Sequence, residues 1–243
     1  MAKLGVIGSE GRMGHALVEA IAESDHDYAG GIDKGGDPER LAGHADVLID
    51  FSTPGALETN LRAATSLGKP VLIGTTGLED AHHALIDAAS EQVAILQTGN
   101  TSLGVNMLAF LVREAAKRLG DEWDIEIVEM HHRHKVDAPS GTALLLGEAA
   151  ADGRKIDLSQ HSERGRDGIT GARKRGAIGF ASLRGGSVAG DHQILFATEN
   201  ESITLSHRAE NRSIFAKGAI KAAGWILDQK ASRYDMKHIL GLS

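Results

Sequence analysis

The sequence predicts an α/β protein in two parts. The first is a parallel sheet covered by helices on both faces, and the second is a smaller α+β domain with an open mixed sheet. Three observations lead there. Over roughly the first hundred residues, short apolar runs alternate with amphipathic stretches across short connections. Beyond residue 170, extended runs follow one another with no helix between them. The 243 residues include 30 glycines and only four prolines, so tight turns are many and proline-rich linkers are absent.

Taken in order, residues 3–7 form a short apolar run ending at Gly8, the pattern of a buried strand. Met13, Ala16, Leu17, Ala20 and Ile21 give residues 12–23 a helical stripe. Strands are expected at 28–32, 45–51, 71–73 and 93–97, and helices at 57–67 and 79–90, with Gly68 placed as a helix C-cap. A long helix over 103–119 ends at Gly120. Residues 123–130 alternate Ile125 and Ile127 with Glu126 and Glu129, as a half-exposed strand does. Ser140 caps a helix over 142–151. Strands at 177–183, 193–198 and 202–206 follow, and an amphipathic helix at 214–228 returns to the first domain. The expected division is 1–102 plus 212–243 for the first domain and 103–211 for the second.

Composition excludes several classes. With 26 Lys+Arg against 33 Asp+Glu, the net charge of −7 gives no general attraction to nucleic acid. The absence of cysteine removes disulfides, thiolate metal sites and a cysteine nucleophile. No apolar run approaches the ~18 residues of a membrane span, and no signal peptide is expected ahead of Lys3. A cytoplasmic location, without membrane partners, is the expectation.

Gly8-Ser9-Glu10-Gly11-Arg12-Met13-Gly14 joins the first strand to the first helix. Its G-x-x-G-x-x-G spacing differs from the G-x-G-x-x-G of the dinucleotide fingerprint, but the physical parts remain: a tight turn, a backbone open to a pyrophosphate, and close helix–strand packing. The helix N-terminus adds free N–H groups and a dipole suited to an anion. Asp33 closes the second strand 19 positions after Gly14, where a carboxylate accepts from ribose hydroxyls and favours NAD; the adjacent Lys34 favours a 2′-phosphate instead. The first domain is therefore read as Rossmann-like, with NADH or NADPH as cofactor. The turns at Phe51-Ser52-Thr53-Pro54 and Gly74-Thr75-Thr76-Gly77 lie at carboxyl ends of strands, where open α/β sheets bind ligands.

Chemistry concentrates in Glu129-Met130-His131-His132-Arg133-His134-Lys135-Val136-Asp137-Ala138-Pro139-Ser140-Gly141-Thr142-Ala143. Histidine exchanges a proton near neutral pH, lysine adds charge and a donor, and the helix start at Ser140 offers N–H groups to a carboxylate. The set suits a small, multiply anionic substrate that must be protonated. A metal cluster of His131, His132 and His134 competes, but neighbouring strand residues point oppositely and nothing completes a ligand set; no metal is expected.

This segment resembles the signature of the dihydrodipicolinate (4-hydroxy-tetrahydrodipicolinate) reductase family. Val6–Gly14, D-F-S-T-P, G-T-T-G, the Ser102-Leu103-Gly104-Val105-Asn106 run and the C-terminal S-H-R-A-E-N-R-S-I-F-A-K-G-A extend the likeness over nearly the whole chain. The resemblance implies a Rossmann domain plus a substrate domain, assembled as a homotetramer through the substrate-domain sheets. It implies that Gly8, Ser9, Glu10, Gly11, Arg12 and Met13 hold the pyrophosphate, and that Asp33 with Lys34 meets the adenosine ribose. Gly74, Thr75 and Thr76, with Thr98, Gly99, Asn100 and Thr101, would line the nicotinamide end. His131 would be the acid/base, Lys135 the proton donor, His132 a substrate contact, and Gly141 with Thr142 a carboxylate site. The reaction implied is hydride transfer from NADH or NADPH to an unsaturated cyclic imine dicarboxylate in diaminopimelate and lysine synthesis. Thr98-Gly99-Asn100-Thr101-Ser102 stands where many members carry Ala-Pro-Asn-Phe-Ser, and the link after Asp33 is short.

Three other readings remain: an NAD(P)-dependent amino-acid dehydrogenase or imine reductase on the same plan, a non-catalytic dinucleotide sensor, and a histidine-metal hydrolase. The basic run 164–175 sets Arg164, Arg166, Arg173, Lys174 and Arg175 against Asp167, and is read as a patch steering a dianionic substrate.

Overall fold

A computed structural model describes residues 1–242. The chain forms two compact units, one of Met1–Leu103 together with the chain from Ser213 onward, the other of Gly104–Arg212.

The first unit is built on strands β1 (Lys3–Ile7), β2 (Asp27–Ile32), β3 (Val47–Asp50), β4 (Val71–Ile73) and β5 (Ala94–Gln97), alternating with helices α1 (Arg12–Ala22), α2 (Pro38–His44), α3 (Leu57–Ser66) and α4 (Asp80–Ser90). All pairings are parallel. β3 is buried along its whole length, because Val47, Leu48 and Ile49 face helices on both sides. One face of the sheet packs Leu4, Val6 and Ile49 against Leu17 and Ile21 of α1 and the alanine-rich face of a late helix. The other packs Ile7, Leu48 and Ile73 against Leu41, Leu57, Leu61 and Ile86. Each such side chain contributes roughly 1.5–3 kcal/mol when fully buried. After β2 the chain crosses back to pair β3 with the other edge of β1. The switch point thus lies between β1 and β3, where open α/β sheets hold ligands.

The second unit begins with α5 (from Leu103 to Leu119) and β6 (Asp124–His131). α6 (Gly141–Arg154), α7 (Leu158–His161), β7 (Ser162–Glu163), β8 (Ile178–Arg184), β9 (Gly190–Thr198) and β10 (Glu201–Ala209) follow. The sheet order is β10-β9-β6-β8-β7. β9 runs antiparallel to β6 and β10, whereas β8 is parallel to β6 and β7, so this sheet is mixed as expected. β6 alternates half-buried and buried along its length. Its inward residues Ile125 and Ile127 join Leu108, Val112, Leu146, Phe180, Ile194 and Phe196 in one core.

The chain then returns to the first unit as α8 (Ser213–Ile226), and adds β11 (Ser232–Tyr234) beside β5 and the short α9 (Met236–Ile239). The region after Asp33, read as a plain link, holds α2. Asp37 caps it by accepting from Glu39 N (3.0 Å) and Arg40 N (3.1 Å), and Pro38 starts it. β11 was not anticipated: three residues are too few for a pattern, and Arg233 fastens them by donating to Asp87 (2.7 Å) and Gln97 (3.0 Å).

The basic run is corrected. Arg166 pairs with Glu126 and Glu163, Arg173 with Asp124 and Glu126, and Arg175 with Asp121. Burial pushes the Glu126 carboxyl up, but hydrogen bonds from Arg166 and Arg173 outweigh this and hold it below its usual range. The run is largely a set of ion pairs fastening the β6–β7–β8 edge, so most of its charge is unavailable for steering.

α8 approaches the segment before α5 so closely that a Cβ on Gly218 would sit 1.9 Å from the Thr101 carbonyl oxygen. Gly218→Ala is expected to cost about 1–3 kcal/mol, and calorimetry should show Tm falling ~2–4 °C per kcal/mol. An unchanged Tm would mean that this packing is loose.

Candidate functional site

In the first unit, the turn after β1 is tied down on three sides. Gly8 N donates to Ile32 O (2.8 Å), and Gly8 adopts φ +86°. A Cβ there would lie 2.6 Å from the Phe51 carbonyl, and one on Gly14 would lie 2.2 Å from the Gly8 carbonyl. Gly11 is the extended N-cap of α1, and no side chain caps that helix. Its first N–H groups are therefore offered to a ligand rather than to a Ser or Asp of the chain. A glycine-lined helix start without a side-chain cap fits a pyrophosphate.

Asp33 stands at the tip of β2, but one of its oxygens is engaged. Oδ2 accepts from Ser9 Oγ (2.9 Å) and Glu10 N (2.8 Å), clamping the glycine-rich turn. Oδ1 is the oxygen left to an external donor such as the expected ribose hydroxyl. Burial, with the charges of Glu10 and Asp33, holds the nearby Tyr28 phenol above its ordinary value. Lys34 and Arg12 make no ion pair among the described residues. Met13 is half-buried against the core, which leaves its main chain for a ligand.

The two later turns share one buried carboxylate. Asp50 Oδ1 accepts from Ser52 N (2.9 Å), Ser52 Oγ (2.6 Å) and Thr75 Oγ1 (3.2 Å), and Oδ2 accepts from Asn60 Nδ2 (2.9 Å). Ser52 and Thr75 thus spend their hydroxyls on Asp50. Gly74 lies against the Phe51 ring and Thr76 is exposed. Thr98 Oγ1 donates to Asn100 O (2.9 Å) and accepts from Asn100 N (3.1 Å), closing a turn on itself with Gly99 exposed at its tip. Thr101 is 2% exposed and donates to Phe215 O (2.7 Å). Its side chain is thus engaged within the chain, and its main chain is what it has to offer as a lining group.

In the second unit, strand alternation puts Glu129 and His131 on the buried face of β6, which corrects the expectation that Glu129 alternates with Ile125 and Ile127: it lies in phase with them. Glu129 is 1% exposed. Its Oε2 meets His131 Nδ1 at 2.5 Å, its Oε1 accepts from Ser140 N (3.2 Å), and Arg184 bonds both oxygens at 2.9 Å. Burial pushes this carboxyl up, but donors from Arg184, His131 and Ser182 prevail and its pKa is lowered. With Nδ1 so engaged, His131 keeps Nε2 for exchange.

Ser140 caps α6 by accepting from Ala143 N (3.1 Å), and its hydroxyl also meets His192 Nε2 (3.2 Å). The His131 and His192 rings are edge to face, with centroids 5.1 Å apart. Lys135 Nζ pairs with Asp137 Oδ1 (2.8 Å), which holds the Asp137 carboxyl below its usual range. His132 Nε2 meets the Arg212 guanidinium at 3.0 Å. Slight desolvation and the electrostatic influence of Arg212, of the neighbouring His134 and His131, and of Lys135 hold His132 below its ordinary value. Gly141 and Thr142 form the first turn of α6, with open space around Gly141. Among the described residues, no three His, Asp or Glu side chains are arranged to hold a metal ion, and no helix is long and apolar enough to cross a membrane.

Sequence reasoning gave no role to Asp50, Asn60, Arg184 or His192. Glu129 stood in the motif, and its i, i+2 relation to His131 on a strand could have paired them. Arg184 and His192 come from strands 50 or more residues away, and no local spacing points to them.

Burial lowers His192 from 6.5 to about 4, with His131 adding to the shift. The folded pKa lies below the unfolded one, so stability from this group is complete above about pH 6.5 and is lost as pH falls towards 4, by at most about 3 kcal/mol. Denaturant titrations at pH 7 and 4.5 should show a smaller difference for His192→Gln than for the native chain. Equal differences would show that His192 titrates normally.

Family descriptions match both parts of the chain: "Dihydrodipicolinate reductase, N-terminus" over residues 2–101 and "Dihydrodipicolinate reductase, C-terminus" over 104–240. A 4-hydroxy-tetrahydrodipicolinate reductase of Zymomonas mobilis is 57% identical over 99% of this chain and 97% of its own. One of Parvibaculum lavamentivorans is 52% identical over 99% and 98%. The solved dipicolinate-bound dihydrodipicolinate reductase of Paenisporosarcina sp. TG-14 shares the fold at a TM-score of 0.80, with 22% identity over 98% of this chain and 99% of that one.

Proposed function

The chain belongs to the dihydrodipicolinate reductase family, and on that premise we propose that it reduces 4-hydroxy-tetrahydrodipicolinate, through dihydrodipicolinate, to tetrahydrodipicolinate with NADH or NADPH. It is an oxidoreductase of diaminopimelate and lysine synthesis. The observation that carries the assignment of residues is the buried Glu129 holding His131 Nδ1 beside a lysine-bearing loop and the start of α6.

The main chain of Gly8, Ser9, Glu10, Gly11, Arg12 and Met13 binds the pyrophosphate at the start of α1. Asp33 Oδ1 takes a ribose hydroxyl, with Lys34 beside it. Gly74, Thr75 and Thr76 with Thr98, Gly99, Asn100 and Thr101 orient the nicotinamide end through backbone groups. Bound there, a reduced nicotinamide supplies the hydride.

In the second unit, Gly141 and Thr142 hold one substrate carboxylate at the α6 N-terminus, and His132 contacts the substrate. As hydride arrives, negative charge grows on the conjugated ring system. His131 and Lys135 meet it as cation and proton donors, each worth ~10²–10⁴ in rate. Lys135, released from Asp137, gives the single proton that balances the hydride, and His131, the acid/base, faces the developing charge at Nε2 while Glu129 holds its ring. We place the enzyme in the cytoplasm as a homotetramer joined through the outer face of the second sheet, where Leu183 is exposed.

Mixing the protein with either reduced nucleotide and the product of dihydrodipicolinate synthase should consume the nucleotide's absorbance. No oxidation with either would overturn the reading. Lys135→Ala is expected to lower kcat by ~10²–10⁴ while nucleotide Kd, by fluorescence titration, stays within about twofold. A parallel loss of nucleotide affinity would contradict its role as proton donor. Asp33→Ala should raise the kcat/KM ratio of NADPH over NADH, since it removes a carboxylate that repels a 2′-phosphate; an unchanged ratio would mean that Asp33 serves only the turn.

A further inference from the structure

Arg184 ends β8 with its guanidinium on acceptors that serve both proposed proton-handling groups. Nη1 donates to Glu129 Oε2 and Nη2 to Glu129 Oε1, each at 2.9 Å, while Nη2 also reaches the Asp137 carbonyl at 2.7 Å. Glu129 holds the His131 ring, and Asp137 holds the Lys135 ammonium. We propose that Arg184 is a positioning residue for the reduction: through Glu129 it sets the orientation of His131, and through the Asp137 carbonyl it fixes the loop that carries Lys135. The proposal rests on the roles given above to His131 and Lys135.

A buried carboxylate with an unmet oxygen would turn towards another donor, and the ring it holds would lose its pose. The guanidinium meets both oxygens, which keeps Oε2 aimed at His131 Nδ1.

The other groups around His131 do not substitute for Arg184. From β9, burial keeps His192 uncharged near neutral pH, and Asp191 is paired with Arg208. From β10, His207 is also held below its ordinary value by burial. Ser140 of α6 is neutral, His132 is engaged with Arg212, and Lys135 is matched by Asp137. Only a planar fork spans both carboxylate oxygens, and the free edge of the same fork takes the loop carbonyl.

The test reads kcat against KM and nucleotide Kd, together with the His131 ring resonances by NMR at one fixed pH without substrate. Arg184→Gln should lower kcat at least on the order of tenfold, leave NADH Kd within about twofold, and displace the ring resonances. Arg184→Lys keeps the charge but not the fork, and kcat should stay at least on the order of tenfold down. Native kcat or undisplaced ring resonances in a folded Arg184→Gln overturn the proposal. If circular dichroism shows Arg184→Gln unfolded, Arg184→Lys decides: native kcat refutes the fork, and lowered kcat with native NADH affinity supports it. A native chain that fails to turn over would refute the functional reading, while the ring resonances would still decide the role of Arg184.

Discussion

The buried carboxylate of Glu129 constrains the second unit more than any other group. An anion at 1% exposure costs several kcal/mol unless nearly every lone pair is met, and here the donors come from four places in the chain. Arg184 arrives from β8, His131 from two residues along β6, Ser140 N from the start of α6, and Ser182 from β8. Meeting those demands fixes where β6 ends, where α6 begins and how β8 registers against β6. The same requirement that stabilises the charge therefore builds the site: a histidine with one nitrogen committed, and a helix N-terminus facing the same region as that ring.

The first unit repeats the solution twice with smaller side chains. Asp50 ends β3 and gathers Ser52, Asn60 and Thr75; Asp33 follows β2 and gathers Ser9 and Glu10. In each case a carboxylate at the carboxyl end of a strand accepts from a turn that would otherwise be free to move. The consequence is a division of labour. Side chains such as Ser52, Thr75, Thr98 and Thr101 are spent on rigidity, so what the turns present outward is main chain. Main-chain donors recognise phosphate and amide groups by geometry rather than by charge, which suits a cofactor held in one pose.

Much of this was legible in the sequence, for identifiable reasons. The parallel sheet follows from Val47-Leu48-Ile49 and its counterparts, whose continuous apolarity has no other economical placement. The mixed sheet follows from extended runs without helices between them. The turn at Gly8–Gly14 and the segment from His131 to Thr142 could be found because their chemistry is contiguous. Other features were illegible because their cause is tertiary. β11 is three residues long and exists because β5 offers an open edge. α2 was signalled by Asp37-Pro38, a cap and a first-turn proline, yet its seven residues carry too short a stripe to register. Arg184 and His192 reach Glu129 and Ser140 only through the pairing of β6 with β8 and β9.

The basic run at 164–175 shows why a count of charges is a weaker guide than their partners. In sequence it has the composition of an anion-steering loop. In the fold, Glu126 sits on the outer face of β6, one residue out of phase with the inward-facing Ile125 and Ile127, and draws Arg166 and Arg173 onto itself. Arg173 further donates to the carbonyls of Ile125 and Ala177, so its guanidinium serves as a splice between β6 and the start of β8. That splice lies at the end of these strands opposite Glu129 and Arg184, and the two arginine–carboxylate pairs hold β6 and β8 in register from both ends. Register matters because a slip of one residue would carry Glu129 and His131 to the outer face together. On this argument the run's cations contribute to the reaction indirectly, by keeping the strand that carries Glu129 and His131 in phase with the strand that carries Arg184.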